Sequence, residues 1–125
     1  NGRFWYEIFK DVCVIKQVRF TDITTAGFVK YTINSFLAMK VVFFNELFHL
    51  FNKSAGLSFD SLTEIVSMDD RIGNSHLQVP GPDGDYGFGG ACFPKDTKAF
   101  VQFAKDSGPL ELLEHVIKLN NEIRN

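Results

Sequence analysis

Apolar side chains recur at three- and four-residue steps over residues 26 to about 54, a stretch without proline whose only glycine is Gly27. That spacing is typical of an amphipathic helix. One apolar row is Ile33, Leu37, Val41, Phe44, Phe48 and Phe51, and its neighbour is Phe36, Met39, Phe43, Leu47 and Leu50. A helix of about 28 residues is roughly 42 Å long. So wide an apolar surface predicts a spine between two copies or domains, and the alternative is the central helix of one small bundle.

Shorter elements flank this helix. The pattern predicts Gly56 as its C-terminal glycine, and Thr24 or Thr25 as its N-terminal cap. Further helices are predicted over residues 59–67 (capped by Asp60 or Ser61, with Leu62, Ile65 and Val66 inward), 97–105 and 110–124. Residues 68–90 form an irregular, glycine-rich loop, and long loops are commonly functional. Residues 1–22 contain strand-like stretches at 12–15 and 18–20, typical of the end of an α/β unit.

Composition narrows the class of protein. The chain has 125 residues, of which 45% are hydrophobic and 22% charged, so we expect one folded domain. A net charge of −2 argues against nucleic-acid binding through bulk positive charge, and no apolar run approaches a membrane span. The start is neither a signal peptide nor an initiator Met, so we expect a piece of a longer chain. Two cysteines suggest a reducing, cytoplasmic setting, and fourteen phenylalanines favour a partner surface.

The densest candidate chemistry is the run GFGGACFPKD over residues 87–96. Its glycines let the backbone approach a ligand, and Pro94 suits a helix's first turn. Cys92 is therefore expected where a glycine loop enters a helix, and the helix dipole and Lys95 would both favour its thiolate. From spacing alone, Cys92 is either a nucleophile or an inert buried thiol. Cys13 is expected to be inert, and no metal-ligand spacing is present.

Three further polar residues are candidates. Lys30 and Asn34 are spaced i, i+4 on the long helix, where they either hold a substrate oxygen or form a solvated strip. Arg71 either clamps a phosphate or carboxylate, or pairs with the aspartates before it.

Three separate motifs resemble the UDP-glucose/GDP-mannose dehydrogenase family and occur in that family's order. Residues 87–96 are similar to its active-site signature, residues 29–38 and 44–47 to its central helix, and residues 69–73 to a third block. The resemblance spans roughly residues 22–125. It implies a mainly α fold, a helical bundle with one long central helix, and a short α/β remnant at the N-terminus. Residues 1–22 would be the end of an NAD-binding Rossmann domain, and residues 23–125 the central dimerisation and active-site domain.

The same resemblance implies an enzyme that oxidises the C6 alcohol of a nucleotide sugar to a carboxylate with two NAD. Cys92 would attack the C6 aldehyde, and the thioester formed next would be hydrolysed. Phe88 and Phe93 are closer to the UDP-glucose branch, so UDP-glucuronate is the expected product; a GDP-mannose or UDP-N-acetylhexosamine dehydrogenase is an alternative. The partners implied are a second copy along the central helix and NAD-binding and nucleotide-binding domains outside this chain. The isolated chain is predicted to be inactive.

Roles for individual residues also follow from the resemblance. Lys30 would stabilise oxyanion charge, Asn34 would hold the reacting oxygen or a water, and Asp96 would position Lys30 and the hydrolytic water. Lys95 would lie near the NAD phosphates, and Arg71 would reach the substrate of the other subunit. The backbone of the loop would cradle the nucleotide sugar through Tyr86, Gly87, Phe88, Gly89 and Gly90.

Two departures from the family pattern stand out. Gly27 follows Ala26 where the family usually carries an acidic residue, and residues 79–85 are longer than in many members, which could alter specificity. Two competing hypotheses remain: a non-catalytic helical dimerisation module, and a small thiol-dependent enzyme that acts alone.

Overall fold

The computed structural model describes residues 22–54, 56 and 58–125, and within them it contains four helices and no strand. The helices are α1 (Ile23–Asn52), α2 (Phe59–Ser67), α3 (Cys92–Ala104) and α4 (Glu111–Arg124). The mainly α class with one long helix is therefore confirmed. The features predicted for residues 1–21, including Cys13 and the Rossmann remnant, lie outside the described residues. The chain divides into two units, residues 1–30 and 31–125, each described by itself.

In the first unit, α1 begins with a side-chain cap. The Asp22 carboxylate accepts hydrogen bonds from the Thr25 backbone N–H at 2.8 Å and from its hydroxyl at 3.0 Å. These bonds hold the pKa of the Asp22 carboxyl below its usual range. The prediction that Thr24 or Thr25 caps the helix was wrong, because Thr25 is the donor and Asp22 the acceptor.

In the second unit, α1 ends earlier than predicted. Its last residue is Asn52, and the tighter bonds Lys53 N–H to Leu50 C=O and Ser54 N–H to Phe51 C=O close the final turn. Gly56 lies four residues beyond Asn52, so it is not the C-terminal glycine that the pattern predicted. With 30 residues, α1 is about 45 Å long.

A narrow stripe of α1 is buried in this unit. The buried residues are Ser35, Ala38, Val42, Phe44 and Asn45. The broad apolar surface predicted from the sequence is therefore split: one side faces the core, while Ile33, Phe36, Phe43 and Leu50 are 53% to 64% exposed. This outer row, Ile33, Phe36, Phe43 and Leu50, is called the exposed α1 row below.

Two apolar clusters hold the unit together. The first joins α1, α4 and the loop before α3 through Ala38, Val42, Phe88, Leu113 and Val116, with Phe93, Phe100 and Val101 of α3 packed against it. The second joins the C-terminal half of α1 to α2 and the following loop through Phe44, Phe59, Leu77 and Val79.

The shorter helices correct several predictions. Ser58, not Asp60 or Ser61, caps α2 by accepting the Ser61 N–H at 3.2 Å, and Ile65 is exposed rather than inward. The start of α3 at Cys92 is five residues earlier than predicted. The apolar period missed this start because it becomes visible only at Phe100. The start itself agrees with the expectation that Cys92 lies at a helix entry with Pro94 in the first turn, where proline costs no helical hydrogen bond.

A long loop, residues 68–91, connects α2 to α3. The Lys40 ammonium of α1 anchors its first part by donating to the Ile72 carbonyl at 2.6 Å. Gly73 and Gly84 adopt positive φ in this loop. Among the described residues, no helix is long and apolar enough to cross a bilayer.

Candidate active site

Cys92 is the first residue of α3 and an exposed free thiol. Gly90, with φ of +80°, lies two residues before it. The first N–H groups of a helix have no partner within the helix, so this thiol lies beside unpaired donors and the positive end of the helix dipole. The predicted position of Cys92 is confirmed, and the alternative of a buried thiol was wrong.

Asp96 lies one turn after Cys92 and is 1% exposed. The Asn34 side-chain amide of α1 donates to its Oδ2 at 2.6 Å, so the structure brings two predicted site residues, 62 positions apart, into contact. A short bond to a carboxylate is among the stronger hydrogen bonds in proteins. Asn34 is half-buried, and its amide is held by a buried carboxylate. Lys30 lies on α1 in the first unit, four residues before Asn34.

Two residues near the start of α3, Thr97 and His76, were not singled out from the sequence. Thr97 is fully buried. Its hydroxyl donates to the Phe93 carbonyl at 2.7 Å and to the Pro94 carbonyl at 3.3 Å. The His76 ring lies 5.6 Å from the Phe93 ring, on a backbone with φ of +63°. Burial and the positive charge of Lys40 lower the pKa of His76 below its usual value.

The glycine loop before Cys92 is held by two buried side-chain amides. Asn45 Oδ1 accepts the Gly87 N–H at 2.9 Å. Asn120 Oδ1 accepts the Phe88 N–H at 2.7 Å, and its Nδ2 donates to the Phe88 carbonyl at 2.9 Å. Sequence analysis missed both asparagines. The signal was available, because each is an amide on the apolar, buried face of its helix, and such an amide needs a partner.

Arg124 fastens the outer side of the same loop. Its guanidinium lies 2.8 Å from Asp83 and 3.6 Å from Asp85, and the bond to Asp83 holds the pKa of that carboxyl below its usual range. A Cβ on Gly89 would lie 2.6 Å from the guanidinium, so glycine permits this close approach.

Three other predicted residues, Arg71, Tyr86 and Lys95, are exposed. The Arg71 guanidinium, 90% exposed, binds both carboxylate oxygens of Asp69 at 3.0 and 2.7 Å, which is the pairing the sequence left open as the alternative. That pair lowers the pKa of Asp69 and raises that of Arg71. The Tyr86 ring lies 5.9 Å from the rings of Phe48 and His49, and Lys95 is exposed on α3.

Of the predicted loop residues, Gly87 and Phe88 are buried, Gly89 is half-buried and Gly90 is exposed. The exposed thiol, a carboxylate–amide pair one helical turn away, and a hydrogen-bonded glycine loop suit covalent chemistry on a small electrophile. In the part of the chain that the structure describes, no three His, Cys, Asp or Glu residues are grouped as a metal site.

Comparison with known proteins identifies the relatives of this arrangement. The model of the UDP-glucose/GDP-mannose dehydrogenase family, central domain, matches residues 24–122. The UDP-glucose 6-dehydrogenase TuaD of Bacillus subtilis is 38% identical over 105 residues, which are 83% of this chain and 22% of the relative. YwqF of the same organism is 41% identical over 102 residues, 81% of this chain and 22% of its own. The UDP-glucose 6-dehydrogenase of Rickettsia bellii is 42% identical over 103 residues, which are 82% of this chain and 22% of the relative. The chain thus spans about a fifth of the length of these relatives.

Proposed function

We propose a function from the premise that the chain belongs to the UDP-glucose/GDP-mannose dehydrogenase family, as its central domain. The proposed activity of the full-length protein is that of an NAD-dependent UDP-glucose 6-dehydrogenase. It oxidises the C6 alcohol of UDP-glucose to the carboxylate of UDP-glucuronate. The observation that carries the proposal is the exposed Cys92 at the start of α3, with the Asn34–Asp96 bond one turn deeper. The matched relatives at about 40% identity are UDP-glucose 6-dehydrogenases.

In this proposal Cys92 is the nucleophile. Its thiolate adds to the C6 aldehyde carbon, and the carbonyl π electrons move to oxygen to form a thiohemiacetal. NAD, when bound, supplies the hydride acceptor for both oxidations. Oxidation of the thiohemiacetal leaves a thioester on Cys92, and water then attacks the acyl carbon, releasing the carboxylate and the thiol.

Three polar residues are proposed to supply positioning and charge. The Lys30 ammonium stabilises the oxyanion of the alcohol and thiohemiacetal steps. Asn34 holds the reacting oxygen or the hydrolytic water, and its orientation is set by the bond to Asp96. Because Asp96 is buried, its carboxylate is screened weakly by solvent and serves to position Lys30 and the water.

Residues for the cofactor and the nucleotide sugar are proposed as well. Lys95 is exposed in the first turn of α3, where its ammonium fits a phosphate of NAD. The described residues lack the strand, glycine turn and helix of a dinucleotide-binding unit, so most NAD contacts are assigned to a domain outside this chain. The backbone from Tyr86 to Gly90 cradles the sugar nucleotide. Arg71 leaves Asp69 to reach the substrate of a second subunit.

We also propose a homodimer along α1. The exposed α1 row places Phe36, Phe43 and Leu50 two helical turns apart on one side. Beside it, an apolar groove of about 390 Å³ is lined by residues of α1, α3 and α4, among them Phe36, Phe100 and Leu112. A second copy of α1 presents the same apolar row, so a two-fold interface covers both surfaces at once.

The proposal is tested by following NADH formation by the full-length protein with UDP-glucose, UDP-N-acetylglucosamine and GDP-mannose in turn. We expect turnover with UDP-glucose and a loss of acid formation in Cys92→Ala. The matched control is Cys13→Ala, which should retain activity. Lys30→Ala should lose about 10²-fold or more in kcat.

Two results would contradict the proposal. Normal turnover in Cys92→Ala would remove the nucleophile assignment. If the wild-type protein forms no NADH with any of the nucleotide sugars, that result would favour the non-catalytic dimerisation module instead.

A further inference from the structure

We propose that Asn45 and Asn120 are positioning residues, whose buried amides set the backbone of the glycine loop and thereby the place of the Cys92 thiol. The consequence for turnover rests on the proposed dehydrogenase function, but the positioning itself does not. The two asparagines are named the amide clamp below.

Asn120 binds one residue of the loop twice. Its Oδ1 accepts the Phe88 N–H and its Nδ2 donates to the Phe88 carbonyl, at 2.7 and 2.9 Å. The pattern copies the paired bonds that one strand makes to its neighbour, and it fixes the peptide orientation on both sides of Phe88. Asn120 is 5% exposed, so water does not readily replace either bond.

Asn45 binds the preceding residue from the other side. Its Oδ1 accepts the Gly87 N–H at 2.9 Å, while its Nδ2 donates to the Val41 carbonyl one turn back in α1 at 2.8 Å. The bond to Val41 determines which end of the amide faces the loop, so the oxygen is presented to Gly87. Asn45 is 1% exposed, and an aliphatic residue there would leave a buried N–H unpaired.

The amide clamp holds the loop backbone shortly before Cys92, where its position determines the position of the thiol. Two successive backbone N–H groups are held: α1 holds the one five residues before Cys92, and α4 holds the one four residues before it. The Phe88 side chain is anchored in the first apolar cluster, but burial of a ring does not choose the orientation of its peptide. The two amides make that choice, and they leave Gly90 exposed, so that its backbone is open to a ligand.

The geometry also explains why residue 87 is glycine. Gly87 has φ of +74°, and a Cβ there would collide with the Asn120 carboxamide oxygen. The Asn120 amide therefore requires glycine at residue 87, because it occupies the space that a side chain of residue 87 would need.

The test uses the full-length protein with Asn120→Asp, Asn120→Leu and Asn45→Leu. Asn121→Asp is the matched control, because Asn121 is exposed on α4. Asn120→Asp keeps the acceptor for Phe88 N–H and loses the donor to its carbonyl; the leucine variants lose every amide bond. Amide hydrogen exchange over residues 87–90 and the rate of Cys92 alkylation by iodoacetamide are measured well below the unfolding temperature. Steady-state kinetics with UDP-glucose follow.

We expect exchange at residues 87–90 to accelerate at least tenfold and Cys92 alkylation to change at least threefold in the clamp variants. We expect kcat to fall about tenfold or more, since small misplacements of a reacting group are costly, while the KM for NAD stays within twofold. Asn120→Asp should be the mildest of the three, and it keeps the test informative should the leucine variants not fold.

A purely structural role predicts a lower unfolding temperature with unchanged exchange, alkylation and kcat in Asn120→Asp, and that result would overturn the proposal. If the wild-type protein turns over no nucleotide sugar, the proposed function fails. Exchange and alkylation then still decide the positioning role, because neither needs a substrate.

Discussion

Replacing Gly87 with alanine should destabilise the chain far more than the same change at Gly84. Both glycines have positive φ, +74° and +82°, so the backbone strain of alanine is similar at the two positions. That strain is about 1–2 kcal/mol. The two sites differ in space, because a Cβ on Gly84 meets nothing within 4 Å, whereas one on Gly87 collides with Asn120.

The difference in cost follows from what Asn120 must give up. To make room, its amide has to move and break both bonds to Phe88, which are buried. A buried polar group left unpaired costs about 1–3 kcal/mol. Gly87→Ala should therefore cost about 2–4 kcal/mol more than Gly84→Ala, and a loss of that size lowers the midpoint of a domain this small by about 10 °C or more.

Scanning calorimetry of the two variants beside the wild-type chain measures the difference directly. Similar unfolding midpoints for Gly87→Ala and Gly84→Ala would refute the reasoning, because they would mean that the Asn120 amide can move without a loss of stability. Asn120→Ala combined with Gly87→Ala offers a second check, since removing the amide should abolish most of the extra penalty.

The remaining predictions concern the core, a titrating ring and the α1 surface. Phe88→Ala removes a buried ring from the first cluster and should cost about 3–5 kcal/mol in urea unfolding; a loss under 1 kcal/mol would contradict its place in the core. Because the pKa of His76 is lowered in the folded state, the unfolded chain binds the proton first, and stability should fall as pH drops through about 6.5, the ordinary pKa of an unfolded histidine, toward the lower pKa of the folded state. His76→Gln should flatten that slope, and an unchanged slope would exclude the ring as its source. Phe43→Glu should convert a dimer to a monomer in light scattering of the full-length protein, with the exposed Asn52→Glu as control, and a persistent dimer would move the interface elsewhere.

The sequence by itself determined the features that are local in the chain. The apolar period predicted α1 to within three residues at its start and two at its end, and α2 and α4 were predicted at or within one residue of their bounds. Helical periodicity and turn residues act over a few positions, so a pattern can report them. The same locality predicted that Cys92 stands where a glycine loop enters a helix, and the family motifs assigned the chain to its family.

Only the tertiary structure decided which side chains meet. Asn34 and Asp96 are 62 positions apart, Asn45 and Gly87 are 42 apart, and Phe88 and Asn120 are 32 apart. No periodicity relates such positions, because their contact depends on how α1, α3 and α4 pack around one core. Packing also chose which part of α1 is buried. Of the two predicted apolar rows only Phe44 is buried, and the buried stripe instead contains Ser35, Ala38, Val42 and Asn45.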